Sequence, residues 1–309
     1  MPLTVLVTGA SGFIGSHVAR ELAEAGHEVR AMTRRPDDYT GAGKPVPGDV
    51  FAAEGLQAAL DGVDAAYYLV HSLDSDDFEE RDARAARAFG SAAADAGVRQ
   101  IVYLGGLGAE DGDLSPHLRS RRATESHLAE AGVPVTTLRA GIVVGHGGAS
   151  WEITRQVVNA MPLMVAPGWV RTRTQPIGLA DVVHYLVGVL DNPDAVGRTF
   201  EVGGPEAMTY EEMLQAASLA LRGEAVPLVA VDVPPLPGVA GLTTDFMSIA
   251  LSFITDVDPA TARNLLGSMG TEAVVTNDEI HAVLPRETVA YDDMVRAALE
   301  DRLAAGLEP

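Results

Sequence analysis

The chain has no cysteine, which excludes thiol catalysis, disulfides and cysteine-ligated metal. Lysine is almost missing as well: Lys44 is the only one among 22 basic residues, set against 43 acidic ones. The net charge of −21 repels phosphate backbones and anionic lipid, so nucleic acid and membrane surfaces are poor partners. This balance suits adaptation to high salt, and a high-GC genome would produce the arginine bias equally well. No apolar run reaches the roughly 18–20 residues that span a bilayer; the longest candidate, Phe246 to Ile254, is too short. The first residues lack the basic and apolar regions of a secretory leader, and the eight histidines have no metal-ligand spacing. The expectation is a cytoplasmic protein without a metal site. Its 309 residues, 47% of them hydrophobic, suffice for one large α/β core and a smaller lobe.

The first half alternates two periodicities. Strands are expected over Leu3 to Thr8, Glu28 to Thr33, Pro45 to Pro47, Ala65 to Val70, Gln100 to Leu104 and Val135 to Leu138. Helices are expected over Phe13 to Ala25, Asp76 to Ala96 and Pro116 to Ala131, stopped by Gly26, Gly97 and Gly132. Strands separated by helices of this length form a doubly wound parallel sheet, that is, an α/β Rossmann fold. Beyond Gly145 the pattern loosens. Arg171 to Ile177, Ala180 to Leu190, Arg198 to Val202 and Tyr210 to Leu221 mix short strands and helices, with Arg171 and Arg173 alternating along one strand. Val226 to Gly241 reads as a proline-rich connector, followed by two or three helices and a short strand, Ala273 to Val275. The organisation expected is a dinucleotide-binding core over residues 1–145 and a smaller mixed α/β substrate-side lobe over 146–309, interleaved with the end of the core.

Gly9-Ala10-Ser11-Gly12-Phe13-Ile14-Gly15 stands between the first strand and the first helix. Gly9 permits a tight turn, Gly12 lets backbone approach a pyrophosphate, and Gly15 lets the helix pack close to the sheet. The helix N-terminus then offers free N–H groups and a favourable dipole to the phosphates. Gly9, Ser11, Gly12, Phe13, Ile14 and Gly15 are therefore the expected cradle. At the end of the second strand an acid would bind a ribose 2′-hydroxyl, whereas arginine accommodates a 2′-phosphate. Arg34 and Arg35 stand there, so NADP(H) is preferred over NAD(H). The alternative is that both arginines are solvated and Asp37 or Asp38 reaches the ribose. Leu69, Val70 and His71 end the fourth strand, where open α/β sheets bind their ligands.

The spacing is G-x-x-G-x-x-G, and Thr8 to Gly15 resembles the extended and atypical short-chain dehydrogenase/reductases. The segments 67–72, 101–107, 115–121 and 169–177 resemble the NmrA-like, NAD(P)H-binding atypical group, which is itself similar to the 39-kDa-type accessory subunit of respiratory complex I. Gly178 to Val183 resembles the start of the substrate lobe in extended members. The resemblance covers essentially the whole chain. It implies that Asp49, with Val50 beside it, caps the adenine amino group. A turn aspartate opening the next helix is the other reading of Asp49.

Standard members of that superfamily carry a Tyr-x-x-x-Lys pair and a serine, the tyrosine being the general acid/base. In the matching segment, Ser115 to Arg121, His117 and Arg121 occupy the tyrosine and lysine places, and glycine occupies the serine place. Ser115 reads as an N-cap and Pro116 as the first helical residue, which puts His117 at the positive end of the helix dipole with Arg121 one turn on. Both disfavour an imidazolium, but a neutral imidazole still donates a hydrogen bond and polarises a carbonyl, a role the handful of known electrophilic histidines fill. His117 and Arg121 are thus the catalytic candidates, with a plain helix-start residue and a cofactor clamp as the alternative, and His71 the next candidate. Arg139, Arg171 and Arg173 are possible anion ligands or partners of buried carboxylates. Trp151, Met161, Met164, Trp169 and Phe246 are pocket-lining or ordinary core residues. The function expected is an NADP(H)-binding oxidoreductase acting on a small or apolar carbonyl or enone. The alternative is a non-catalytic NAD(P)H-binding redox sensor or accessory subunit, whose loss of the usual catalytic residues would then be its signature.

Overall fold

A computed structural model of the chain describes residues 1–72, 75, 77–108, 114–231, 255–256 and 259–308. The first half forms β1 (Thr4–Thr8), α1 (Phe13–Glu24), β2 (Glu28–Thr33), β3 (Lys44–Pro47), α2 (Leu56–Leu60), β4 (Ala65–Tyr68), α3 (Phe78–Asp95), β5 (Gln100–Gly106), α4 (Pro116–Ala129) and β6 (Val135–Ala140). Asp76, the expected start of α3, lies outside the described residues. The glycines expected to stop helices, Gly26, Gly97 and Gly132, sit at φ 88°, 75° and 86°, the left-handed conformation that ends a helix without a Cβ clash.

These strands pair in parallel in the order β11-β6-β5-β4-β1-β2-β3, where β11 is Thr199–Val202. Helices cover both faces, so the central strands are buried on both sides: all four residues of β4 and all six of β6 are buried. The seventh strand arrives from the second half of the chain and pairs with β6, Phe200 opposite Leu138. Helix α6 (Leu179–Gly188) packs beside α1, and the Tyr67 hydroxyl donates to the Leu186 carbonyl at 2.9 Å. Gln100, buried at the start of β5, donates to the Val189 carbonyl and accepts from the Asp191 N–H at 2.8 Å. Polar groups of β4 and β5 thus hold the end of α6 in place.

The remaining second half builds a lobe from β7 (Val143–Val144), α5 (Ala149–Ala160), β8 (Met164–Pro167), β9 (Arg173–Thr174), β10 (Ile177–Gly178), β12 (Met208–Thr209), α7 (Tyr210–Arg222), β13 (Leu228–Val231) and the helices Pro259–Ser268, Glu279–Val283 and Tyr291–Ala304. Its core gathers Trp151, Met164, Met213, Tyr291 and Met294. Three expectations change here. The run from Arg171 to Ile177 is not one strand: a 3-10 turn ends at Arg171, β9 pairs antiparallel with β12, and β10 pairs with β7. Pro176 has no N–H to continue a ladder, which explains the break. The connector contains a strand, β13, parallel to β8; positions 232–241 lie outside the described residues. Ala273 makes a single bridge to Thr174 rather than a strand. Among the described residues no helix is long and apolar enough to cross a membrane, and no cluster of His, Cys, Asp or Glu could hold a metal ion.

Candidate functional site

The loop from β1 to α1 is shaped by what its glycines lack. Gly9 has φ +68°, and a Cβ there would lie 2.6 Å from the Leu69 carbonyl oxygen. At Gly15 a Cβ would lie 2.1 Å from the Gly9 carbonyl oxygen, so any side chain would push α1 off the loop. Gly12 is the N-cap of α1; its N–H donates to the Gly9 carbonyl at 2.8 Å. Among the described residues no side chain caps α1, and no acid stands in its first turn. The first N–H groups and the positive end of the helix dipole are therefore left for an anion.

A cleft of about 570 Å³ opens over this loop, at the carboxyl ends of β1, β2 and β4. Every residue expected to bind a dinucleotide lines it: Gly9, Ser11, Gly12, Phe13, Ile14 and Gly15 of the loop, Arg34 and Arg35 after β2, Asp49 and Val50 after β3, and Leu69, Val70 and His71 after β4. The Thr8 hydroxyl fixes the relation of β1 to β4, donating to the Tyr67 carbonyl at 3.0 Å and accepting from the Leu69 N–H at 3.1 Å. Phe51, Arg81, Leu104, Ala149 and Thr261 also line the cleft and were missed by the sequence reading. The Arg81 guanidinium stacks 4.7 Å from the centre of the Phe51 ring, making a flat wall beside Asp49. Arg81 sits in an arginine-rich helix and Thr261 comes from a helix far along the chain, so neither carried a local signal.

Arg34 and Arg35 are both exposed. Arg35 approaches Asp38 at 4.0 Å, with both side chains mostly in solvent, a weak pairing. Arg34 makes no ion pair among the described residues. Asp49 serves its own turn, its Oδ1 accepting the Phe51 N–H at 2.9 Å, and it also lines the cleft. It does not open the next helix, which begins at Leu56 with Gly55 as its N-cap.

The Ser115 side chain caps α4, accepting the Leu118 N–H at 3.3 Å, and Pro116 is the first helical residue. His117 and Arg121 follow on one face. Arg121 lines the cleft; His117 does not. Both His117 ring nitrogens are buried, without a hydrogen-bond partner among the described residues. Burial first, and the neighbouring Arg121 charge second, hold its pKa down to about 3. His71 keeps an open face to the cleft. Solvent there relieves part of the burial that, with the Arg121 charge, holds its pKa well below the ordinary imidazole value. Both imidazoles are neutral at pH 7.

Behind this trio lies Asp82, 5% exposed, on α3. It accepts the Ser72 N–H at 3.0 Å, the Ser72 hydroxyl at 2.7 Å and the Ser120 hydroxyl at 3.2 Å. It so ties the segment carrying His71 to the helix carrying His117 and Arg121. The Tyr103 hydroxyl, fully buried, donates to the Arg121 carbonyl at 3.2 Å.

Arg139 is buried against Glu125, with Nε and Nη2 each 3.1 Å from a carboxylate oxygen, and is an internal partner of that acid. Arg171 and Arg173 are exposed and belong to different elements. Trp151 and Met164 are core, while Met161 and Trp169 pack partly buried against the lobe; none lines the cleft. Phe246 lies outside the described residues.

Known proteins carry related sequences. A family model described as NAD(P)H-binding matches residues 9–193. A Streptomyces griseus (4-alkanoyl-5-oxo-2,5-dihydrofuran-3-yl)methyl phosphate reductase is 34% identical over 227 residues, 70% of this chain and 73% of the reductase. A mitochondrial NADH dehydrogenase [ubiquinone] 1 alpha subcomplex subunit 9 from Arabidopsis thaliana is 24% identical over 230 residues, and the match spans 69% of this chain but only 56% of that subunit. The Citrobacter sp. triphenylmethane reductase complexed with NADP(H) has the same fold: TM-score 0.72, 20% identity, covering 96% of this chain and all of that one (100%). With a glycine cradle, an uncapped helix and a cleft at the sheet's carboxyl edge, and with a family match over residues 9–193, the chain belongs to the NAD(P)H-binding family.

Proposed function

We propose that the chain is an NADPH-dependent reductase of a carbonyl or an activated double bond. The observation that carries this is the convergence of the glycine loop, Arg34, Arg35, Asp49, His71 and Arg121 on one cleft. The cradle fits a pyrophosphate because Gly9, Gly12 and Gly15 present no Cβ and the first turn of α1 presents no acid. Arg34 and Arg35 receive a 2′-phosphate, for which planar guanidinium is well suited. Phe51, stacked on Arg81, and Asp49 flank the adenine. Dihydronicotinamide bound at the far end supplies hydride, and the protein supplies position and polarisation. Arg121, always charged, holds a ribose or substrate oxygen but exchanges no proton. His117 backs Arg121. The 34% identical relative, a reductase, supports the reaction type.

The second reading is a non-catalytic NAD(P)H-binding sensor or accessory subunit. The burial of His117 away from the cleft favours it, as does the likeness to the complex I subunit. Titration with NADPH, NADP, NADH and NAD, followed by nicotinamide fluorescence and calorimetry, tests the cofactor assignment. Arg34→Ala should weaken NADPH by about 1.5–3 kcal/mol, the usual worth of a hydrogen bond to a charged group, and leave NADH nearly unchanged. Equal loss for both cofactors removes the NADP preference. Failure of all four to bind removes the proposal.

A further inference from the structure

We infer that the substrate is an electron-poor carbon–carbon double bond conjugated to a carbonyl whose oxygen is held by Arg121 and His71, rather than an isolated ketone or aldehyde. This rests on the hydride-transfer reading above. Reducing an isolated carbonyl leaves both electrons on one oxygen as a strongly basic alkoxide, which requires a proton at that oxygen. The chain has no cysteine, and neither its single lysine nor any of its seven tyrosines, all of them described, lines the cleft. Two of the buried tyrosine hydroxyls of the sheet donate elsewhere, Tyr67 to the Leu186 carbonyl and Tyr103 to the Arg121 carbonyl. Apart from Arg34, Arg35, Asp49 and Arg81, which the reading above gives to the adenosine half, the ionisable groups among the described lining residues are a fixed cation, Arg121, and an imidazole, His71. Burial first, and the Arg121 charge beside it, disfavour the His71 imidazolium. Such a pair donates hydrogen bonds to a developing oxyanion without giving up a proton.

A conjugated acceptor suits these groups. Its β-carbon takes the hydride, and the π pair of the alkene moves into an enolate with its charge on the carbonyl oxygen. Arg121 and His71 hold that oxygen. The enolate is far less basic than an alkoxide, and solvent protonates it at the α-carbon. One hydride and one proton enter; the C=C becomes CH–CH and the dinucleotide is oxidised.

The test uses the full chain with NADPH in D2O, offered cyclohexenone and an α-acyl butenolide beside cyclohexanone and the saturated lactone, with products read by NMR. The expected products are the saturated ketone and lactone carrying one deuterium at the α-carbon, with no alcohol. His71→Gln, which keeps a donor but cannot be a proton-donating imidazolium, should retain turnover within about an order of magnitude, whereas His71→Phe should lose on the order of a hundredfold. Formation of alcohol from either ketone, a dead His71→Gln that still binds NADPH, or NADPH binding with no turnover of any of the four compounds would each overturn the inference while leaving the cofactor assignment standing. Absence of NADPH binding would instead overturn the reading on which it rests.

Discussion

Two glycines of the loop separate folding from binding. A Cβ at Gly15 would sit 2.1 Å from backbone oxygen, which cannot yield, so α1 itself must move. Gly15→Ala should cost about 1–3 kcal/mol of stability, the usual cost of overpacking, and abolish dinucleotide binding, as read by urea unfolding and fluorescence titration. At Gly12 the only close contact is the Gly9 carbonyl oxygen at 3.2 Å, so Gly12→Ala should stay folded and lose affinity alone. His117 makes a different kind of prediction. Its pKa is about 3 when folded against 6.5 as a free imidazole, so between those values the unfolded chain binds a proton that the folded chain does not. Stability therefore falls as pH drops below about 6.5, by up to about 1.4 kcal/mol per pH unit from this group, and the loss levels off near pH 3. His117→Gln should flatten that part of the curve of unfolding free energy against pH relative to the wild-type chain. Equal slopes would mean that His117 is not buried neutral.

Among the elements, the contact between the β4–α3 segment and α4 decides whether His71 and Arg121 face the same space. One buried carboxylate makes that contact. Asp82→Ala leaves the Ser72 N–H and the Ser72 and Ser120 hydroxyls without their acceptor, at about 1–3 kcal/mol for an unsatisfied buried group. Turnover should fall by more than NADPH affinity, because the cradle lies on β1 and α1, away from Asp82; steady-state kinetics beside a binding titration checks this. The elements that carry the cradle were legible in sequence because each announces itself locally: β-branched strands, helices with apolar faces, glycine stops. Their observed bounds differ from expectation by two residues at most. Helix α5 gave no such signal, since no glycine stops it; its C-cap is Met161. The place of β11 in the main sheet was equally silent, because a pairing of Thr199 with Thr137 is a property of the folded chain, not of either segment. The same reason hid Arg81 and Thr261: they reach the cleft only after distant elements pack. The sequence signal at His117 was a likeness of position, and position in a helix does not say how far a side chain stands from the cleft.

Charge acts on the whole molecule and is divided unevenly. The chain carries −21, yet its cleft is lined by Arg34, Arg35, Arg81 and Arg121 with Asp49 as the one acid among the described lining residues. Self-repulsion of the excess carboxylates works against the compact state at every distance within a Debye length, about 10 Å at 0.1 M salt and about 3 Å at 1 M. Added salt therefore screens the repulsion and should raise the unfolding temperature. The same screening weakens the attraction between the cleft's arginines and a multiply charged dinucleotide, so NADPH affinity should fall as stability rises. The fall should be steeper for NADPH than for NADH, because only NADPH adds a phosphate opposite Arg34 and Arg35. Thermal unfolding and NADPH and NADH titrations across the same potassium chloride series read both trends at once. Opposed trends, with the steeper slope for NADPH, are the expected result. Affinity that is flat in salt for both cofactors would mean that the arginines do not meet phosphate, and the cleft would then bind its nucleotide through the glycine loop and helix N-terminus alone.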